Sequence, residues 1–316
     1  MKKPTIICAA DLTFAPETKR VLESQGLVKY ISPTPQALLE HLPDGDAYFA
    51  SLHVQLSREL IEISPRLKVI ATPSTGLDHL DLQAAAQHGI VVLGLKDDRQ
   101  LLDRITATAE LAWALLLACA RSLPAACQAS RQGHWARDLF RGHQLAYKTL
   151  GILGCGRLGT IISQYGQAFR MRVLGCDKLP VTIPGVQMVS LDQLLHEADV
   201  LTIHIHLTQE NHHLINGNIL AKMKRGAILI NTSRGAILNE TDLLESLESG
   251  HVSAAGLDVL DGEWNDNLAE HPLIVYSRSH ENLIITPHIG GVTYESQEMA
   301  YTATAQKLVE FFKNLC

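Results

Sequence analysis

Three glycines supply the first chemically suggestive pattern in the chain. The run Lys148-Thr-Leu-Gly-Ile-Leu-Gly-Cys-Gly-Arg-Leu-Gly159 sets Gly154, Gly156 and Gly159 directly after a strongly apolar stretch and at the start of a helical pattern. The first glycine permits a tight turn, the second lets backbone approach a pyrophosphate, and the third lets the helix press on the strand. The helix start then offers unpaired N–H groups and a partial positive charge to phosphate. A glycine pattern alone also fits an ordinary turn. What separates the two readings is Asp177, which ends the next apolar run 23 residues after Gly154. A carboxylate there accepts ribose hydroxyls and repels a 2′-phosphate, so the expected cofactor is NAD rather than NADP.

The elements that must position this turn alternate along the chain. Before residue 94, β-rich runs at 5–8, 28–31, 47–50, 67–71 and 90–93 are separated by helical spacings at 17–24, 57–63 and 82–88. A long helical pattern, 105–133, follows, and Pro124 is expected to end or kink it. From Lys148 strands are expected at 149–153, 172–176, 200–204, 227–231, 254–258 and 282–285, with helices at 157–169, 190–196, 216–223 and 239–249. Such alternation predicts parallel sheets with crossover helices. The last stretch, 294–315, reads as one amphipathic helix that returns to the first domain. The expected division is 1–104 for the first part of a substrate domain, 105–285 for the cofactor domain and 286–316 for the return.

Composition removes several functions. With 316 residues, 46% hydrophobic and 19% charged, the chain is a normal globular one long enough for two domains. A net charge of -6 gives no basic face for nucleic acid. Six cysteines without a C-x-x-C pair read as reduced thiols of a cytoplasmic protein. Lys2 and Lys3 before an apolar run look like a signal-peptide start, but Asp11 ends that run early and a first strand is expected instead. The longest apolar stretch, 111–120, is too short to span a bilayer, and Cys316, being last, cannot head a prenylation box. No membrane partner is expected. His204-x-His206 and His212-His213 raise the thought of a metal, yet no four ligands stand at zinc spacing and no cysteine joins them, so none is expected.

Downstream motifs give the pattern a family. Asn231-Thr-Ser-Arg-Gly235, Gly256-Leu-Asp-Val259 with Glu263, and Thr286-Pro-His-Ile-Gly-Gly291 occur in order, preceded by Thr75-Gly76 with Asp78, Ala109-Glu110 and Gly133-His-Trp135. Over nearly its whole length the chain resembles the D-isomer-specific 2-hydroxyacid dehydrogenases. The resemblance implies two doubly wound, Rossmann-like α/β domains with a cleft between them, a discontinuous substrate domain and a homodimer. It implies hydride transfer between NAD(H) and C2 of a small 2-hydroxy or 2-oxo acid, with catalytic roles for Arg234, Glu263 and His288. Cofactor contacts carry over to Gly154, Gly156, Arg157, Leu158, Gly159, Asp177, Ile205 (through its backbone), Thr232, Asp258 (toward the nicotinamide amide), Gly290 and Gly291. Thr75 and Gly76, with Arg234, carry over as substrate contacts.

The residue types suit that chemistry. A guanidinium stays charged and offers a planar fork to a carboxylate and its neighbouring keto oxygen, which fits Arg234 just after a strand. An imidazole exchanges protons near neutrality, and His288 sits in a tight turn between Pro287 and Gly290-Gly291. Glu263 within hydrogen-bond reach would favour the charged ring and orient it.

The chain also departs from the family. His206 and Trp264 stand where the family usually has proline. About four extra residues fall within 274–281, and Gly94-Leu-Lys-Asp-Asp-Arg-Gln-Leu-Leu-Asp-Arg104 replaces an asparagine- and proline-containing loop. Where phosphoglycerate-type members carry arginines, Ser51 and His53 supply no permanent charge, so a phosphorylated substrate is not expected by that route. No C-terminal regulatory domain follows the closing helix, so feedback through one is not expected. An NAD(H)-sensing interaction protein of the co-repressor type on the same fold is the alternative function, disfavoured by the lack of a peptide-binding appendage. A formate-oxidising relative is disfavoured by the complete Arg–Glu–His set.

Overall fold

The structure, a computed structural model, describes residues 3–265 and 267–315; Cys316 lies outside them. The chain divides into two compact units, one made of Met1–Ile105 with Val292–Cys316 and the other of Thr106–Gly291.

The first unit holds a five-stranded parallel sheet. Its strands are β1 (Thr5–Cys8), β2 (Leu27–Tyr30), β3 (Ala47–Phe49), β4 (Val69–Ala71) and β5 (Val91–Leu93), in the order β2-β1-β3-β4-β5. Successive side chains of β3 enter opposite layers: Tyr48 joins Ile7, Leu38 and Ile70, while Phe49 joins Ile6, Val69 and the terminal helix. Burial on both faces explains why these strands read as continuous apolar runs rather than alternating ones. The terminal helix, Tyr294–Asn314, is capped by Thr293, whose hydroxyl accepts from Ser296 N at 3.1 Å. It lays Ala305, Leu308 and Phe312 on the second layer. The divergent segment 94–104 folds onto the same helix: Lys307 Nζ donates to Gly94 O at 2.8 Å and pairs with Asp98 at 3.7 Å. Lys96, Arg99 and Arg104 are exposed.

The second unit holds seven parallel strands: β6 (Thr149–Leu153), β7 (Arg172–Cys176), β8 (Val186–Met188), β9 (Val200–Ile203), β10 (Ala227–Asn231), β11 (Val252–Leu257) and β12 (Leu283–Ile285). Their order is β12-β11-β10-β9-β6-β7-β8, so the winding reverses between β6 and β9. Every residue of β10 is buried, Leu229 toward one layer and Ile228 and Ile230 toward the other. The helix Ala107–Arg121 packs Ala112, Leu115 and Leu116 into that second layer. Among the described residues no single helix is long and apolar enough to cross a membrane.

The kink expected from Pro124 is present, and two other expectations change. The 105–133 pattern is two helices, Ala107–Arg121 and Leu123–Arg131, bent by 66°. The break is at Ser122, in the left-handed region at φ 48°, two residues before Pro124, whose missing amide cannot continue the ladder. The strand β8 and the helix Pro35–His41 were not expected. The chain returns to the first unit at 292 rather than 286, because residues 288–290 are hydrogen-bonded to Asp258 of the second.

Candidate functional site

Six neighbouring strands of the second unit deliver the candidate residues from their C-terminal ends. In sheet order these are His288 after β12, Asp258 and Glu263 after β11, Thr232 and Arg234 after β10, Ile205 after β9, the glycine turn after β6 and Asp177 after β7. Open α/β sheets bind ligands at that edge, beside the point where the winding reverses.

The glycine turn is shaped by three distinct demands. Gly154 sits at φ 96°, and a Cβ there would come within 2.5 Å of the His204 carbonyl oxygen. A Cβ on Gly159, in the first turn of the helix Arg157–Ala168, would come within 2.1 Å of the Gly154 carbonyl oxygen. Gly156 is different: it is the exposed N-cap of that helix, and a Cβ there would meet nothing within 4 Å. Two glycines therefore serve the fold, and the third leaves open the approach that a pyrophosphate needs. Arg157 and Leu158 are half-buried beside it. Asp177 braces the turn, its Oδ2 accepting from Cys155 N at 2.7 Å and its Oδ1 from Leu179 N at 2.9 Å. A carboxylate has about four acceptor positions, so the brace leaves capacity for ribose hydroxyls.

Next along the sheet edge, Ile205 is half-buried against the core. The Thr232 hydroxyl is shut off from solvent and hydrogen-bonded to no other group. A buried unpaired hydroxyl is costly, which suits one that a ligand satisfies. With open Gly156 and carboxylate Asp177 on the same edge, the donor set fits a dinucleotide.

Arg234 is set by buried Asn231. The Asn231 Oδ1 accepts from Ser233 N at 3.0 Å and Ser233 Oγ at 2.7 Å, while its Nδ2 donates to Arg234 O at 2.9 Å. Arg234 Nη1 donates to Ser233 O at 2.7 Å, which holds the guanidinium close to its own turn. Gly235 is required by contact rather than by φ: a Cβ would come within 2.0 Å of Leu260 C. That approach presses the Arg234 turn onto the segment leading to Glu263.

Asp258 is the knot of the site. Buried to 1% exposure, its Oδ1 accepts from Thr286 Oγ1 at 2.6 Å and Ile289 N at 2.9 Å, and its Oδ2 from Gly290 N at 2.7 Å. Burial pushes its carboxyl up, against the pull of these three donors and of nearby His288. Its own carbonyl accepts from His288 N at 2.9 Å. His288 lies in the left-handed region at φ 53°, a conformation non-glycine residues rarely take. In this turn His288 Nδ1 reaches Glu263 Oε1 at 2.6 Å, with the side chains 29% and 14% exposed. A carboxylate accepts, so in this contact Nδ1 is the donor and Nε2 is the ring nitrogen left over. The structure thus brings Glu263 and His288 into contact and ties Asp258 to Gly290. Gly291 is exposed at the end of the same turn.

Thr75 and Gly76 belong to the first unit, half-buried in the loop after β4, where Gly76 N donates to Ser74 Oγ at 3.2 Å. In the same unit Ser51 is buried and accepts from His53 N at 3.2 Å. Glu240 lies outside every sequence motif of the site. Its Oε1 accepts from Asp261 N at 2.9 Å and its Oε2 meets His271 Nε2 at 3.0 Å, fixing the segment that carries Glu263. Burial pushes the Glu240 carboxyl up. No local sequence signal marks it, because its partners lie 21 and 31 residues away.

Comparison with known proteins places the chain in a family. Residues 113–290 match the family model described as "D-isomer specific 2-hydroxyacid dehydrogenase, NAD binding domain". A D-3-phosphoglycerate dehydrogenase of Methanocaldococcus jannaschii is 34% identical over 295 residues, 92% of this chain but 54% of that protein. The chain thus spans about half the length of that relative. A hydroxypyruvate reductase of Thermotoga maritima is 35% identical over 279 residues, covering 88% of this chain and 87% of its own. Among solved structures, D-lactate dehydrogenase from Aquifex aeolicus, complexed with NAD and lactic acid, superimposes with a TM-score of 0.85. It is 28% identical and covers 98% of this chain and 96% of its own. The chain belongs to the D-isomer specific 2-hydroxyacid dehydrogenase family and carries its NAD-binding domain.

Proposed function

We propose that the protein is an NAD-dependent oxidoreductase that interconverts a small, unphosphorylated 2-oxo acid and its 2-hydroxy acid. The observation that carries this reading is the 2.6 Å contact between His288 Nδ1 and Glu263 Oε1, on the sheet edge that also presents Arg234. NAD(H), when bound, supplies or accepts the hydride at C2. The glycine turn and Thr232 hold the cofactor, Asp177 accepts its ribose hydroxyls, and Asp258 with Gly290 and Gly291 lines the nicotinamide end. Arg234 clamps the substrate carboxylate and draws electron density from the C2 carbonyl. His288 Nε2 delivers a proton to the C2 oxygen in reduction and takes it back in oxidation. Glu263 keeps the ring oriented and balances its positive charge.

Asp177 supports NAD over NADP, and uncharged Ser51 and His53 support a substrate without phosphate. The curated relatives named above are enzymes, and none of them supports the co-repressor reading. The test is NADH oxidation over glyoxylate, hydroxypyruvate, pyruvate and longer 2-oxo acids, repeated with NADPH. Arg234→Ala is expected to abolish turnover, and His288→Ala to lower kcat by about 10²–10⁴-fold with little change in NADH affinity. Turnover that survives both substitutions removes these residues from the mechanism.

The protein is further proposed to act as a cytoplasmic homodimer. The five cysteines among the described residues are all free, which suits a reducing compartment. Trp135, Leu139 and Tyr147 are 87%, 80% and 79% exposed on one segment of the second unit, more apolar surface than a lone chain usually leaves on one arm. Trp135→Ala combined with Leu139→Asp is expected to turn a dimer into a monomer in sedimentation equilibrium; an unchanged mass would exclude this arm as the contact.

A further inference from the structure

The pair His212-His213 gains a third donor from a distant part of the chain. Asp261 lies 48 residues on from His213, and its Oδ2 stands 3.2 Å from His213 Nε2. One ligating atom from each of His212, His213 and Asp261 lies within 4.8 Å of the other two. We propose that these three side chains form a binding site for a divalent transition-metal ion of the zinc type.

Geometry makes the case. A tetrahedral zinc ion with bonds of about 2.0–2.1 Å holds its ligand atoms about 3.4 Å apart. His213 and Asp261 already have that spacing, and the His212 ligating atom lies within 4.8 Å of both. Neighbouring side chains normally point apart in extended backbone. Here His213 takes φ 51°, and the two rings lie side by side with centroids 4.0 Å apart and planes 39° apart. Both sides of the site rest on fixed backbone. His213 N donates to Ala236 O at 2.8 Å, and the next turn of chain forms a bridge between Ile215 and Leu238. Opposite, Asp261 N donates to Glu240 Oε1 at 2.9 Å. Ring nitrogens paired with one carboxylate select zinc, cobalt, nickel or copper over magnesium and calcium, which prefer all-oxygen shells. His212 is exposed and the other two are half-buried, so an ion can enter and keep water in its remaining positions.

The His212-His213 pair alone suggested a metal but not a site, since three donors from two segments leave no zinc-like motif. Its position has a consequence for the segment it grips. Asp261 is two residues before Glu263, so a bound ion would fasten the stretch that presents Glu263 to His288. The site itself does not depend on the proposed reaction.

The test uses the full chain, stripped with a chelator and titrated with Zn²⁺ by calorimetry, then with Co²⁺ while the visible ligand-field spectrum is followed. One ion per chain with micromolar affinity is expected, with an intense low-symmetry Co²⁺ spectrum and a rise in Tm on adding Zn²⁺. His212→Ala, at an exposed position, is expected to weaken binding at least tenfold, and Asp261→Asn at least as much. His196→Ala, an exposed histidine elsewhere on the unit, should leave affinity unchanged. Absence of submillimolar Zn²⁺ binding, equal affinity in His212→Ala, or equally tight Mg²⁺ binding would each overturn the proposal.

Discussion

His204 shows how strongly one position can be governed by its surroundings. Its Nε2 lies 2.8 Å from Thr202 Oγ1, and its Nδ1 is buried without a partner. The residue keeps some surface, but Nδ1 has essentially none, and burial drives the ring's pKa from 6.5 down to about 4. The folded protein therefore keeps His204 neutral where the unfolded chain takes up a proton. The stability this provides is complete above pH 6.5 and is lost as pH falls toward 4, a difference on the order of 3 kcal/mol. Wild type should lose more Tm between pH 7 and pH 4.5 than His204→Gln; parallel curves would assign the acid sensitivity to other groups. At this scale the sequence was readable where residue type alone limits chemistry. Arg234, His288 and Asp177 stand out because few side chains hold a permanent charge, titrate near neutrality or accept from ribose. Glu240 and Asp261 do not stand out. Their roles come from partners that only folding brings near.

At the scale of the element, the glycine turn separates structural need from ligand need. Gly156→Ala adds a methyl group facing open space, so Tm should stay within about 1 °C while NADH affinity falls at least tenfold, about 1.4 kcal/mol. Gly154→Ala and Gly159→Ala drive a methyl group into backbone, so both should lower Tm before any cofactor is added. If Gly156→Ala bound NADH normally, the cofactor could not lie against this turn. Four strands, β1, β6, β7 and β10, have the limits their sequences predict, because each is a sustained apolar run with a clear turn at its end. β8 was hidden for the opposite reason: it is three residues on a sheet edge, of which only Val186 and Met188 reach the core and neither is fully buried. The kink that Pro124 signals in the sequence is present, with the left-handed residue at Ser122 and the proline in the first turn of the second helix.

At the scale of the whole molecule, the first unit depends on a helix far from the rest of it in sequence. Leu308 is fully buried among Ile6, Phe49 and Val69. Leu308→Ala should cost about 2–5 kcal/mol and lower the unfolding temperature measured by calorimetry. An unchanged transition would mean that the helix contributes little to that layer. The same arrangement sets a timetable for synthesis. The sheet β1–β5 leaves the ribosome early, yet the residues that cover Ile6, Phe49 and Val69 are translated only after the entire second unit. Throughout that interval a greasy surface stands bare, so chaperone demand and the risk of clumping should peak on nascent chains that have passed residue 291 but not yet released residue 312.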